Sequence, residues 1–231
     1  FIQNNKKPIV ITGSQKSIYL RDTDARANLY NAFVFASDDN AHLTHIVFDG
    51  KVILGTRARK TRTKSFNAFS SIDYPEVAWI VGDRVKYFIK EEVEGSPVFC
   101  KKINTSVVAV KLIPGMRSDI LSYLAGRCAA VVIESFGVGG IPYYGNDDFT
   151  AAIKKLRDSG VKVIVTTQVP HEGSDMEVYK VGKAKKELGL IEAHDMTVEA
   201  VIGKIVWALG AAKQEGDFER LFQTPVCMDS I

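Results

Sequence analysis

A chain of 231 residues, 46% hydrophobic and 25% charged, suits one large globular domain or two modest ones with a sizeable core, and this composition argues against a disordered chain. Its 30 Lys and Arg face 27 Asp and Glu for a formal net charge of +3, so bulk electrostatics require no acidic partner, and a nucleic-acid role needs a local patch. Cys100, Cys128 and Cys227 are odd in number and lack metal-ligand spacing, which favours unpaired thiols in a reducing compartment such as the cytoplasm, while no apolar run approaches the ~20 residues that cross a bilayer and no signal sequence is visible.

The chain opens Phe1-Ile2-Gln3-Asn4-Asn5-Lys6-Lys7-Pro8, apolar and then polar before a proline, which reads as the end of a helix and leads us to expect further sequence upstream. Residues 8–12 form a β-branched run ending in Gly13-Ser14-Gln15, a buried strand opening into a loop. From Asp24 to Ala36 the residues Leu29, Ala32, Phe33 and Ala36 recur at spacings of three and four, predicting a helix packed on the sheet with Thr23 or Asp24 as its cap. Asp49-Gly50 between two strand-like runs over 45–54 predicts a hairpin, and Gly82-Asp83 between 77–81 and 84–89 predicts another, so the first part is a mixed sheet.

Residues 91–105 turn polar, with Glu91-Glu92, Gly95-Ser96-Pro97 and Lys101-Lys102, and read as a linker between domains at 1–90 and 106–231. Strands at 107–112, 130–134 and 161–166 then alternate with helices near 118–126 and 147–158, the pattern of a doubly wound parallel sheet. Asp195 precedes the periodic stretch Val198, Val201, Ile202, Ile205, Val206 and Leu209, and Gly210 follows it, predicting a capped helix with a stop; a short helix over 217–222 ends the fold.

Five cations in eight positions occupy Arg57-Ala58-Arg59-Lys60-Thr61-Arg62-Thr63-Lys64. Most such runs are solvated faces, but neighbouring cations also disfavour a further positive charge, which fits a partly buried lysine among them to accept or relay a proton. A nucleic-acid reading ranks lower, because no recognition motif adjoins the cluster and Phe66 and Phe69 are spaced for a core. Phe136-Gly137-Val138-Gly139-Gly140 follows a strand, yet Asp147 and Asp148 at the start of the next helix would compete with a phosphate, so a tight turn is the better reading. His42, His45, His171 and His194 have no metal-like pairing and receive no chemistry, and Thr12, in or just after a strand, is read as structural.

In order along the chain, the segments 7–15, 20–29, Phe48-Asp49-Gly50-Lys51, Arg57-Ala58-Arg59-Lys60, Ser135-Phe136-Gly137-Val138-Gly139 and Asp195-Met196-Thr197-Val198-Glu199-Ala200 resemble the bacterial type I, cytoplasmic L-asparaginases. The resemblance implies an α/β fold with a mixed, flavodoxin-like first domain, truncated at its N-terminus, and a smaller Rossmann-like parallel-sheet domain. It also implies hydrolysis of L-asparagine to aspartate and ammonia through a threonine acyl-enzyme, with no metal or organic cofactor and with homodimeric or tetrameric assembly. Lys60 matches the family's proton-relay lysine. Ser14 stands where the family holds the substrate amide by a backbone carbonyl, and Asp24 and Asn28 match supporting positions that capping and packing explain equally well.

The family's Gly-Thr-Gly-Gly loop with the nucleophile and its Gly-Thr-Asp-Thr segment do not occur in these residues. The resemblance places both upstream, and this chain by itself is expected to be inactive. The chain also resembles the asparaginase-like subunit of the archaeal tRNA-dependent amidotransferase, because Thr56-Arg57-Ala58-Arg59-Lys60 fits either family, while Asp195 to Ala200 favours the free-standing enzyme; a noncatalytic amino-acid-binding protein or a bare dimerisation module are further alternatives. Asparagine and glutamine differ by one methylene, which a pocket resolves by only ~1–3 kcal/mol, so both stand as substrates; membrane and nucleic acid are not expected partners.

Overall fold

The β-branched run Ile9-Val10-Ile11 forms a strand because its stiff side chains pack well on a pleated surface, and it lies at one edge of a five-stranded sheet. The computed structural model describes residues 1–142, 149–177 and 188–231. It divides into a first unit, Phe1–Cys100 with Val226–Asp229, and a second, Lys101–Pro225 with Ser230–Ile231.

In the first unit, the opening residues are a short strand, not a helix end: β1 (Ile2–Gln3) pairs antiparallel with Val98–Phe99. β2 (Ile9–Ile11) runs parallel to β3 (Thr44–Phe48), which turns back into β4 (Lys51–Leu54) with Phe48 opposite Lys51. Asp49 and Gly50 have φ of 53° and 74°, the left-handed pair that a tight two-residue hairpin needs and that an Asp-Gly sequence supplies. After the small hairpin of β5 (Ala58–Lys60) and β6 (Phe69–Ser71), β7 (Ala78–Val81) and β8 (Arg84–Tyr87) complete a sheet of order β2-β3-β4-β7-β8, mixed as expected. β9 is Val98–Phe99, inside the stretch read as a linker.

Helix α1 (Ala25–Ala36) buries Asn28, Ala32 and Phe35 against this sheet. Leu29 and Phe33, placed on the core face by spacing, are instead 45% and 65% exposed. The face is rotated because the Asn28 side chain is held inside the unit by polar partners, which fixes which stripe of the helix turns inward. His45, on the interior strand β3, is fully buried: its Nε2 lies 3.0 Å from Glu91 Oε2 and its ring meets Phe35 edge-on at 5.1 Å. The contact seats the imidazole in the core beside a carboxylate.

The second unit is a parallel sheet of β10 (Val107–Lys111), β11 (Ala130–Ser135), β12 (Lys162–Thr167) and β13 (Ile191–Glu192) in that order. Helices α2 (Asp119–Leu124) and α3 (Phe149–Asp158) follow β10 and β11; Leu121, Ile153 and Leu156 pack with Val131, Ile133, Val163 and Val165 in one apolar core. The predicted start of α3 at Asp147 and Asp148 lies outside the described residues. Helix α4 (Val198–Ala211) is capped by Thr197, whose Oγ1 accepts from Ala200 N; Asp195 instead takes Ser230 Oγ at 3.0 Å and the Ile231 amide. α4 ends at Ala211, one residue beyond the predicted stop, so Gly210 is its penultimate residue, and α5 (Asp217–Gln223) follows. No helix among the described residues is long and apolar enough to cross a membrane.

Candidate active site

The chain leaves β2 through Thr12, whose Oγ1 donates to the Val47 carbonyl at 2.7 Å, so that hydroxyl has the structural role read from the sequence. Gly13, Ser14 and Gln15 then form a loop at the carboxyl end of the parallel pair β2–β3, the end of an α/β sheet where ligands bind. What shapes the loop is Asp24. Its carboxylate accepts from the Gln15 amide at 2.9 Å, from the Lys16 amide at 3.0 Å and from Asn28 Nδ2 at 3.1 Å. Burial pushes this carboxyl up, but the amides of Gln15, Lys16 and Asp24 itself and the Asn28 side chain outweigh it and hold the carboxyl below its ordinary range.

Asp24 therefore is no side-chain cap for α1; the first-turn amide of Ala25 is met by Thr23 Oγ1 at 3.0 Å. Asn28 extends the network in both directions, donating to Gly13 O at 2.9 Å and accepting the Asp49 amide at 2.9 Å. The loop and the β3–β4 hairpin are thus joined through one buried side chain. Ser14 stays exposed, and its carbonyl takes no hydrogen bond among the described residues.

Lys60 arrives from a hairpin that periodicity did not reveal. It stands opposite Phe69 in the β5–β6 register, with its Nζ 5.7 Å from the Phe69 ring centre, and Phe69 in turn lies 5.2 Å from Phe48. Its Nζ donates to Gln15 Oε1 at 3.0 Å. Lys60 is exposed, not partly buried. The other cations of the cluster do not crowd it as one face: Arg57 is fully buried and donates to the Met228 carbonyl, while Arg62 donates to the Asn67 carbonyl at 3.1 Å. Phe66, read as core, is 38% exposed and lies under Lys16.

The structure thus brings Ser14, Asp24, Asn28 and Lys60 into one neighbourhood of the first unit, and adds Gln15 and Asp49, which sequence reasoning passed over. The signal for Gln15 was only its place beside Ser14. In the second unit, the glycine-rich turn closes on itself, with the Gly139 and Gly140 amides both donating to Phe136 O, so those amides are not turned toward a phosphate. Groups of three or more potential metal ligands are absent among the described residues.

The first unit is thus an α/β sheet with a pinned strand-end loop and a lysine delivered to it, and comparison with known proteins identifies the family. The chain belongs to the asparaginase family: residues 1–93 match the family described as Asparaginase, N-terminal, and residues 106–222 the one described as Glutaminase/Asparaginase C-terminal domain. It is 34% identical to the L-asparaginase of Thermococcus kodakarensis, over 96% of this chain and 67% of that one. It is 28% identical to L-asparaginase 1 of Escherichia coli K12 (95% and 64%) and 29% identical to a glutamyl-tRNA(Gln) amidotransferase subunit of Pyrococcus furiosus (96% and 52%). It therefore spans about two thirds of the asparaginases and about half of the amidotransferase subunit. The solved Thermococcus L-asparaginase superposes with a TM-score of 0.93 at 33% identity, covering 99% of this chain and 69% of that one. L-asparaginase I of Vibrio cholerae, at 24% identity and a TM-score of 0.86, covers 100% of this chain and 69% of its own and shares the fold.

Proposed function

We propose that the protein hydrolyses the side-chain amide of L-asparagine, giving aspartate and ammonia. In this reading a threonine hydroxyl attacks the amide carbon, ammonia leaves with a proton returned through Lys60, and water then cleaves the ester. The Ser14 carbonyl accepts from the substrate amide. The threonine, weak as a nucleophile at neutral pH, needs such a relay and oriented donors, and the resemblance assigns it to sequence outside these 231 residues. Asp24 and Asn28 act as supports: they shape the loop and leave Ser14 to the substrate.

The observation that carries this reading is the Lys60 amine on Gln15, the residue after Ser14, in a loop whose backbone is fixed by Asp24. Domains at 1–90 and 106–231, supported by family matches that end at 93 and begin at 106, belong to the same reading. So do a homodimeric or tetrameric assembly and a cytoplasmic location. The ammonia-supplying amidotransferase subunit has weaker support, with 29% identity over 52% of that relative.

The test is ammonia release from L-asparagine by the natural gene product that contains these residues, with and without Lys60→Met. Loss of a positioned proton relay lowers kcat by ~10²–10⁴. Activity of the variant within twofold of the parent would remove Lys60 from the mechanism.

A further inference from the structure

We infer that Gln15 is a positioning residue for Lys60, holding its amine in place without taking possession of its proton. The inference rests on the proposed hydrolysis for its catalytic meaning, and on the geometry for its substance. A lysine at an exposed position has four rotatable side-chain bonds and spreads over many rotamers unless something holds it. Among the described residues the Lys60 amine has one hydrogen-bond partner, Gln15 Oε1 at 3.0 Å, beside the Phe69 ring.

Gln15 is itself fixed at both ends. Its backbone amide is held by the Asp24 carboxylate at 2.9 Å, and its side-chain Nε2 donates to the Ser65 carbonyl at 3.0 Å and the Arg62 carbonyl at 3.4 Å. Two carbonyl acceptors on one side of the amide can only face its NH₂, so the oxygen is obliged to face Lys60. Those carbonyls belong to a turn that closes on itself, through the Thr61 and Arg62 amides on Ala68 O at 2.9 and 3.1 Å and the Arg62 guanidinium on Asn67 O. The amide thus links a self-closed turn to the Lys60 amine.

An amide oxygen can accept from an ammonium or from a neutral amine, favours the ammonium far less than a carboxylate does, and is too weak a base to keep the proton. A carboxylate at the same place would pair with the ammonium and hold it charged. A residue that must lose and regain a proton in each turnover is served by the first and hindered by the second. This accounts for glutamine here on chemical grounds.

The test compares Gln15→Met, which keeps length and loses the acceptor, with Gln15→Glu, which keeps an acceptor, adds charge and gives up the donor to the Ser65 and Arg62 carbonyls, in the same full gene product. Gln15→Met is expected to lower kcat about tenfold with KM within about threefold, the size of one lost hydrogen bond expressed in the transition state. Gln15→Glu is expected to move the limb of the pH–rate profile that needs the neutral amine to higher pH. A second readout needs no turnover: labelling of Lys60 by an amine-reactive ester, mapped by mass spectrometry against Lys6 and Lys51, should quicken in Gln15→Met and slow in Gln15→Glu. Opposite signs separate an effect on the amine from a merely structural one. Unchanged Lys60 labelling in both variants, or kcat and pH profile both unmoved, overturns the inference. If Gln15→Met does not fold, Gln15→Glu decides alone. A gene product without asparaginase activity sinks the functional reading, while the labelling still decides whether Gln15 governs the Lys60 amine.

Discussion

Asp24 illustrates how a single side chain converts a flexible turn into a site. A carboxylate just ahead of a helix ordinarily caps it, yet here its oxygens face the Gln15 and Lys16 amides and α1 receives no side-chain cap from it. Hydrogen bonds to the ionised form depress its titration in the folded state, so the stabilisation it gives is present above the unfolded value of ~3.9 and is lost as pH falls through the lower folded value. Asp24→Asn is therefore expected to cost ~1–2 kcal/mol near neutral pH, with the gap to the parent closing as pH falls below the ordinary carboxylate range, as read from urea midpoints. A gap that is constant with pH would mean that the charge plays no part. Sequence offered this residue only as a cap or a support, because its partners across the loop are set by tertiary folding.

At the scale of elements, signals that depend on a few adjacent residues carry through, and those that depend on which face is buried do not. Asp49-Gly50 specifies its hairpin through two positive φ values, and the alternation of strands and helices after residue 106 gives the parallel sheet. The inward face of α1 escapes the apolar periodicity because a polar residue, Asn28, occupies it, and the β5–β6 hairpin escapes it because a three-residue strand rich in cations has no apolar alternation. Gly210 is the sharpest case. Read as a helix stop, it lies inside α4, where an added Cβ would sit 2.3 Å from the Lys102 carbonyl oxygen and 2.6 Å from Ile103 Cα. Replacing a helical glycine by alanine usually stabilises, by up to ~1 kcal/mol in a helix interior and less in the last turn where Gly210 lies. Here the clash is with backbone, so Gly210→Ala is expected to destabilise the second unit by ~2 kcal/mol or more, measured by denaturant unfolding. A stabilised variant would show that the 102–103 segment does not pack on the helix.

Over the whole molecule, the two-part division of the chain is legible in the sequence, but the return of its last turn is not. Composition alone marks the change of rhythm near 91–105, but nothing in Val226-Cys227-Met228-Asp229 announces that these residues join the first unit. The reason is that their partners lie 171 positions away: Thr56 Oγ1 donates to Cys227 O at 2.6 Å, and the buried Arg57 donates to Met228 O. The next two residues serve the second unit, with Ser230 and Ile231 on the Asp195 carboxylate. A buried guanidinium deprived of a carbonyl acceptor costs several times an ordinary hydrogen bond, so the tail holds the β5–β6 hairpin that carries Lys60. Deleting 226–231 is therefore expected to speed hydrogen exchange of the Ile72 amide, which donates to Arg57 O at 2.9 Å, by at least about tenfold. Deleting 230–231 alone should leave that amide as protected as in the parent, since it removes only partners of Asp195. Equal protection after both deletions would show that Arg57 and its hairpin are held without the tail.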